Sequence, residues 1–161
     1  MKTILQLSLW ITLICPSALL AAGDHGHEHG DKKHADQHDH EQEKAPHDGR
    51  LMEAGEMHVE FLIGADKMAT VWLYDEKLKP ISPSDQTVTL ILQAKDGAKN
   101  TIELTKKGDL FVSSSALTIP EGAKAILVVK AGGKTSNLRF DLDMTACGEC
   151  KKPEYACGCE Q

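Results

Sequence analysis

Between residues 49 and 143 apolar and polar side chains alternate with a period of two. That is the spacing of a strand with one buried face, not of a helix. Val59, Phe61 and Ile63 alternate with His58, Glu60 and Leu62. Ala69, Val71 and Leu73 alternate with Thr70, Trp72 and Tyr74, and Val88, Leu90 and Leu92 with Thr87, Thr89, Ile91 and Gln93. Shorter apolar runs cover 101–104 and 110–112. Two more, 125–130 and 135–142, flank Gly132-Gly133, a pair suited to a two-residue hairpin turn. There Leu138, Phe140 and Leu142 are expected to face inward, with Arg139, Asp141 and Asp143 outward. Turn-forming residues separate the runs at Asp48-Gly49, Gly64-Ala65-Asp66, Lys79-Pro80, Asp96-Gly97, Lys107-Gly108-Asp109 and Pro120-Glu121-Gly122. About seven short strands predict one all-β domain over 48–143, a single antiparallel β-sandwich of immunoglobulin-like architecture. No long amphipathic segment predicts a helix.

The hydrophobic pattern changes abruptly at both ends of this domain. Residues 1–22 carry Lys2, an apolar run from Ile4 to Cys15, then Pro16 and a small-residue stretch ending Ala21-Ala22-Gly23. This is the charged, apolar, small-residue order of a secretory signal peptide. Gln6, Ser8 and Thr12 interrupt the run, which is short for a membrane span. Cys15 follows Leu13-Ile14, not the small residue that precedes a lipoprotein cysteine. Cleavage near Ala22 predicts an exported, periplasmic protein with no stable membrane insertion afterwards; a retained anchor is the lesser alternative. The formal charge of −6 becomes −7 without Lys2, which argues against nucleic acid as a partner.

Residues 23–47 hold two apolar residues, Ala35 and Ala45, and seven histidines: His25, His27, His29, His34, His38, His40 and His47. A segment so poor in apolar side chains cannot offset its ordering entropy, so a disordered arm is expected. Each neutral imidazole offers a lone pair to Zn²⁺, Ni²⁺, Co²⁺ or Cu²⁺. Alternating His-x-His lets a coil wrap several imidazoles around one ion, and the interleaved carboxylates lower the cost of bringing a dication near. The plainer alternative is a solubilising linker. His47 stands where arm meets domain, with Asp48 as a candidate co-ligand or orienting group. His58 lies on the outward alternation of a strand, where a solvated or hydrogen-bonded role is the commoner one. Met52 and Met57 are near enough to serve Cu(I), although apolar filling explains them more simply.

Residues 144–161 place four of the five cysteines in the pattern Cys147-x2-Cys150-x6-Cys157-x-Cys159. Four thiolates match tetrahedral Zn²⁺, and a Cys-x-Cys pair also suits Cu(I). In an oxidising compartment the rival is two structural disulfides, with pairing expected between the two couples because a Cys-x-Cys loop is strained. Redox exchange is a third reading, though no thioredoxin-like helix start follows.

No catalytic constellation is visible. Ser113-Ser114-Ser115 has neither a histidine nearby in sequence nor a glycine frame. Gly132-Gly133-Lys134-Thr135 lacks the first glycine and the following helix of a phosphate loop. A binding protein is therefore expected and not an enzyme.

One stretch resembles a known domain. Ala45-Pro46-His47-Asp48-Gly49-Arg50-Leu51-Met52-Glu53 is similar to the Pro-His-Gly-Gly-Arg-Leu-x-Glu opening of a small periplasmic β-domain. That domain leads the adaptor (membrane-fusion) subunits of cobalt–zinc–cadmium efflux pumps and also occurs in stand-alone exported proteins. The likeness continues through His58-Val59-Glu60-Phe61, Val71-Trp72-Leu73-Tyr74-Asp75, Gly132-Gly133-Lys134-Thr135 and Arg139-Phe140, covering residues 45–142. Here Asp48 replaces the first glycine after the histidine, and the coiled-coil and lipoyl-like segments of an adaptor are absent. The resemblance implies a metal-linked, non-enzymatic periplasmic domain with a heavy-metal efflux adaptor or pump as partner. Its expected function is to buffer or deliver a transition metal in heavy-metal resistance; the alternative is a structural or interaction module with a disulfide-stapled tail.

Overall fold

The computed structural model describes residues 44–159. Residues 1–22, expected to be a leader, and His25, His27, His29, His34, His38 and His40 lie outside the described residues. The alternating segments form strands β2 (His58–Ile63), β3 (Ala69–Tyr74), β4 (Thr87–Gln93), β5 (Lys99–Lys107), β6 (Leu110–Ser113), β7 (Lys124–Ala131) and β8 (Lys134–Asp141). An eighth strand, β1 (Arg50–Glu53), precedes them. Among the described residues no α-helix forms, and a 3₁₀ turn, Glu154–Ala156, is the only helical element.

All neighbouring strands pair antiparallel in the order β1-β2-β3-β6-β5-β4-β7-β8. The β7–β8 hairpin turns on Gly132 and Gly133, with φ of 53° and 74°. Two successive positive φ values define the turn whose twist matches that of its strands, and glycine accepts them without a Cβ clash.

The inward positions are those the alternation marks. Val59, Phe61, Ala69, Val71, Leu73, Val88, Leu90, Leu92, Ala125, Leu127 and Val129 are buried in one continuous core. Burying each of the larger ones contributes about 1.5–3 kcal/mol relative to leaving it exposed. The expected two-sheet sandwich is corrected: the eight strands form one sheet nearly closed into a barrel. Inward-facing alternation is the same in a sandwich and in a barrel, so periodicity does not separate them.

The seam lies between edge strands β1 and β8, where side chains replace backbone pairing. Phe61 of β2 and Phe140 of β8 meet with ring centroids 5.4 Å apart. The Arg50 guanidinium of β1 sits 5.0 Å over the Phe140 ring. The C-terminal stretch completes this closure and is no loose appendage. Leu142 is buried and donates its N–H to the Ala123 carbonyl. Tyr155, 2% exposed, packs its ring against both Phe61 and Phe140 at 5.8 and 6.3 Å. Its hydroxyl accepts the Ile63 N–H at 2.8 Å, and its carbonyl accepts from Arg50 Nη1 at 2.9 Å. Burial raises the Tyr155 phenol above its ordinary range, against the Ile63 N–H bond that lowers it, so it stays protonated at neutral pH.

Candidate metal centre

The tail cysteines are delivered by two turns facing each other across a short ladder. Ala146 bridges Pro153, and Glu154 N–H donates to the Thr145 carbonyl at 2.9 Å. In the first turn Cys147 N–H donates to the Lys152 carbonyl at 2.7 Å, and Lys151 N–H returns to the Cys147 carbonyl at 3.1 Å. Lys151 takes a φ of 63° to allow this reversal. The second turn follows directly from Tyr155, whose insertion into the seam fixes where Cys157 and Cys159 emerge.

The result is one cluster. The sulfurs of Cys147, Cys150, Cys157 and Cys159 all lie within 4.8 Å of one another. The closest separations are 3.3 Å for Cys147–Cys157, 3.6 Å for Cys150–Cys157 and 4.0 Å for Cys147–Cys159. The four thiols are unbonded to one another. A tetrahedron of sulfurs at the ordinary zinc–thiolate distance has edges of about 3.8 Å. The cluster therefore matches the size of a four-thiolate metal site and could hold one ion.

The surroundings favour thiolate at Cys147 and oppose it at Cys157 and Cys159. The backbone N–H groups of Cys150 and Glu149 hydrogen-bond the Cys147 sulfur, and together with the Cys157 thiol they lower its pKa to about 7. Cys159 moves the other way, pushed well up by the adjoining sulfurs of Cys157 and Cys150, so the four do not ionise independently. Cys159 N–H also points at the Cys157 sulfur at 3.3 Å. Such N–H···S bonds orient thiolate ligands and offset their charge. A polar recess opens beside the cluster, edged by Arg50, Asp141, Asp143, Glu149 and Glu154. Cys147 is buried and Cys150 exposed, so one side of the cluster faces solvent.

His47 is not part of this group. It sits at the root of the arm, against the outer face of β2 and β3. Its ring stacks on Trp72, centroids 4.1 Å apart and 7° from parallel. Its Nδ1 lies 3.0 Å from Glu60 Oε2 and 2.9 Å from the Tyr74 hydroxyl. Glu60 is fully buried on the face the alternation marks as outward. It survives there because every direction is satisfied. His47 N–H and Gly49 N–H donate to Oε1 at 2.8 and 2.9 Å, and the Tyr74 hydroxyl donates to Oε2 at 2.7 Å. Burial first, then the hydrogen bond to Glu60, drives the Tyr74 phenol far above its ordinary range, so it donates at every physiological pH.

Asp48, weighed as a co-ligand of His47, instead accepts from Lys152 Nζ at 2.7 Å. That bond holds its carboxyl below the usual range and ties the arm root to the first cysteine turn. His58 donates Nδ1–H to the Asp75 carbonyl at 3.2 Å. Met52 and Met57 pack against the core. Ser113 is a structural residue: its hydroxyl donates to the Ser115 carbonyl and accepts the Ala69 N–H.

Sequence reasoning missed Glu60, Trp72, Tyr74 and Tyr155. The one available signal was Glu60 itself, a carboxylate between Val59 and Phe61 in the strongest strand. No protein-family model, curated protein or solved structure matches the chain, so the assignment of chemistry rests on these residues alone.

Proposed function

We propose that this is an exported metal-binding protein that buffers or delivers a transition metal outside the cytoplasm. Cys147, Cys150, Cys157 and Cys159 hold the ion, and His25, His27, His29, His34, His38 and His40 make first capture. The observation that carries the reading is the convergence of four sulfurs from two turns at near-tetrahedral spacing. Zn²⁺ fits four thiolates in that geometry, with Cu(I) the softer competitor. The open side at Cys150 and the acidic residues at the recess give an ion a path in and out. The leader pattern and the likeness of residues 45–142 to the adaptor domain support a place in the periplasm as an accessory to heavy-metal efflux.

Cobalt substitution tests the thiol centre. Reduced protein titrated with Co²⁺ is expected to develop thiolate-to-metal charge-transfer absorption that saturates at one ion per chain. C147S and C157S are each expected to lose that absorption. Retention of the full spectrum by both variants would refute a four-thiolate centre.

A further inference from the structure

We infer that the cysteine tail is a metal-dependent latch on the barrel: an ion at the four thiols holds Tyr155 in the seam between β1 and β8, and its loss lets the seam open. The inference rests on the reading of the thiols as a metal centre and adds to it a state of the fold that reports whether the ion is bound.

The seam needs a fastening of its own. The strand order begins at β1 and ends at β8, and among the described residues no backbone ladder joins those two edges. The chain leaves β8 at Asp141 and runs directly into the tail, and Tyr155 carries it back to the opposite edge. The Tyr155 carbonyl accepts from Arg50 of β1 at 2.9 Å, and its hydroxyl accepts the N–H of Ile63, the last residue of β2, at 2.8 Å. The ring lies against Phe61 of β2 and Phe140 of β8. A single residue, on a segment rooted in β8, is thus bonded to both β1 and β2. Lys152 adds a bond to Asp48, just ahead of β1, but that pair is partly exposed and contributes little.

Tyr155 also lies inside the loop that a bound ion would close. Cys147 and Cys150 precede it, and Cys157 and Cys159 follow it. Their sulfurs lie within 4.8 Å of one another, so an ion bound to all four joins the chain on both sides of Tyr155. Without the ion, a tail that leaves the barrel gains the freedom of a loose chain end. With the ion, the same departure carries out a closed loop or breaks a metal–thiolate bond, so less entropy is gained. The coupling runs both ways. Docked Tyr155 fixes where Cys157 and Cys159 emerge and so favours the ion; by linkage, the ion favours docked Tyr155 by the same factor.

The opening has a defined extent. Once released, Tyr155 leaves the Ile63 N–H without its acceptor and uncovers faces of Phe61 and Phe140. β4, flanked by β5 and β7 in continuous ladders, is untouched. Loaded and empty protein therefore differ at one place, the seam, and that difference lets a partner tell one from the other.

Amide hydrogen exchange of the reduced, untagged chain, read by NMR with one equivalent of Zn²⁺ and again after chelation, tests the latch. Native mass spectrometry of the same samples counts the bound zinc. The Ile63 amide is expected to exchange about tenfold faster or more once zinc is removed, while Leu90 of β4 and Leu127 of β7 keep their protection. C157S with zinc present should exchange at Ile63 as zinc-free wild type does; where that variant does not fold, the two wild-type samples decide. Unchanged exchange at Ile63 after the zinc has left would overturn the latch and leave the thiol centre standing. Equal acceleration at Ile63, Leu90 and Leu127 would refute it too, because the ion would then stabilise the whole barrel and not the seam. No bound zinc in any sample would defeat both the latch and the metal centre.

Discussion

The corner around Glu60 and the cysteine tail are both irregular segments laid over the same barrel, yet they are held by opposite means. At the corner, a buried carboxylate accepts from two backbone N–H groups, a phenol and an imidazole, and the ring of His47 is clamped against Trp72. That region is complete without any added component. At the tail, the anchoring is lopsided. Tyr155 is packed and hydrogen-bonded in the seam, but the four sulfurs beside it sit on short turns, and of the four only Cys147 is buried. With Cys150 exposed and Cys157 and Cys159 half-buried, the cluster gains little apolar burial against its loss of chain entropy. A shared ion would supply the missing energy. The contrast teaches that the imidazole is preset by the fold, whereas the thiol cluster is a place that a bound ion would complete.

Three substitutions break or sharpen this contrast. The largest effect is expected from Tyr155→Ala. It empties the space beside Phe61 and Phe140 and removes the acceptor of the Ile63 N–H. A loss of about 3–5 kcal/mol is expected from denaturant unfolding, together with weaker metal retention because Cys157 and Cys159 lose their anchor. Weakened metal binding with unchanged stability would mean that the tail is not part of the barrel's closure.

Gly49→Ala comes next and strikes the corner alone. A Cβ there would lie 2.6 Å from the Phe61 carbonyl oxygen and 3.0 Å from Glu60 Cγ. Backbone and a buried carboxylate must yield, at a cost of about 1–3 kcal/mol. Thermal melting should record that loss while one metal ion per chain is retained. Loss of the thiol-bound metal as well would show the two regions to be one cooperative unit.

The smallest effect belongs to Asp48→Gly, which tests the link between them. Asp48 has a φ of 61°, the left-handed conformation that glycine takes more easily. The variant gains backbone comfort and loses an exposed pair with Lys152, so at neutral pH the two changes offset and melting should move little. The acid limb discriminates. The Lys152 hydrogen bond depresses the Asp48 pKa, so the pair contributes above the ordinary value of 3.8 and fades as pH falls through the depressed one. Wild type should lose that small contribution there and D48G should not; superimposable acid limbs would show that the pair adds nothing.

The strands were legible where one face is buried and the other solvated. Val59-Glu60-Phe61 and Val88-Thr89-Leu90 declare themselves by alternation. β1 did not, because Arg50–Glu53 is an edge strand with no fully buried residue, and its two apolar side chains, Leu51 and Met52, are adjacent. The cysteine ligands were legible from spacing, since metal chemistry demands particular atoms at short intervals. Glu60 was not legible as a buried group. Its register says outward, and only the crossing of residues 45–49, a tertiary event, covers it. The same applies to His47. Its neighbours in sequence mark it as the last histidine of an arm, and its partners Trp72 and Tyr74 lie more than 20 residues away. Tyr155 lies in a short segment without periodicity, where nothing local marks it as core.

The central claim is that the four tail cysteines hold a metal ion as thiolates. Native mass spectrometry of the untagged chain, isolated without chelator and compared with the same sample after denaturation, tests it most directly. The account predicts one transition-metal ion in the native species and four reduced thiols after its release. A metal-free native species carrying the mass deficit of two disulfides would contradict it.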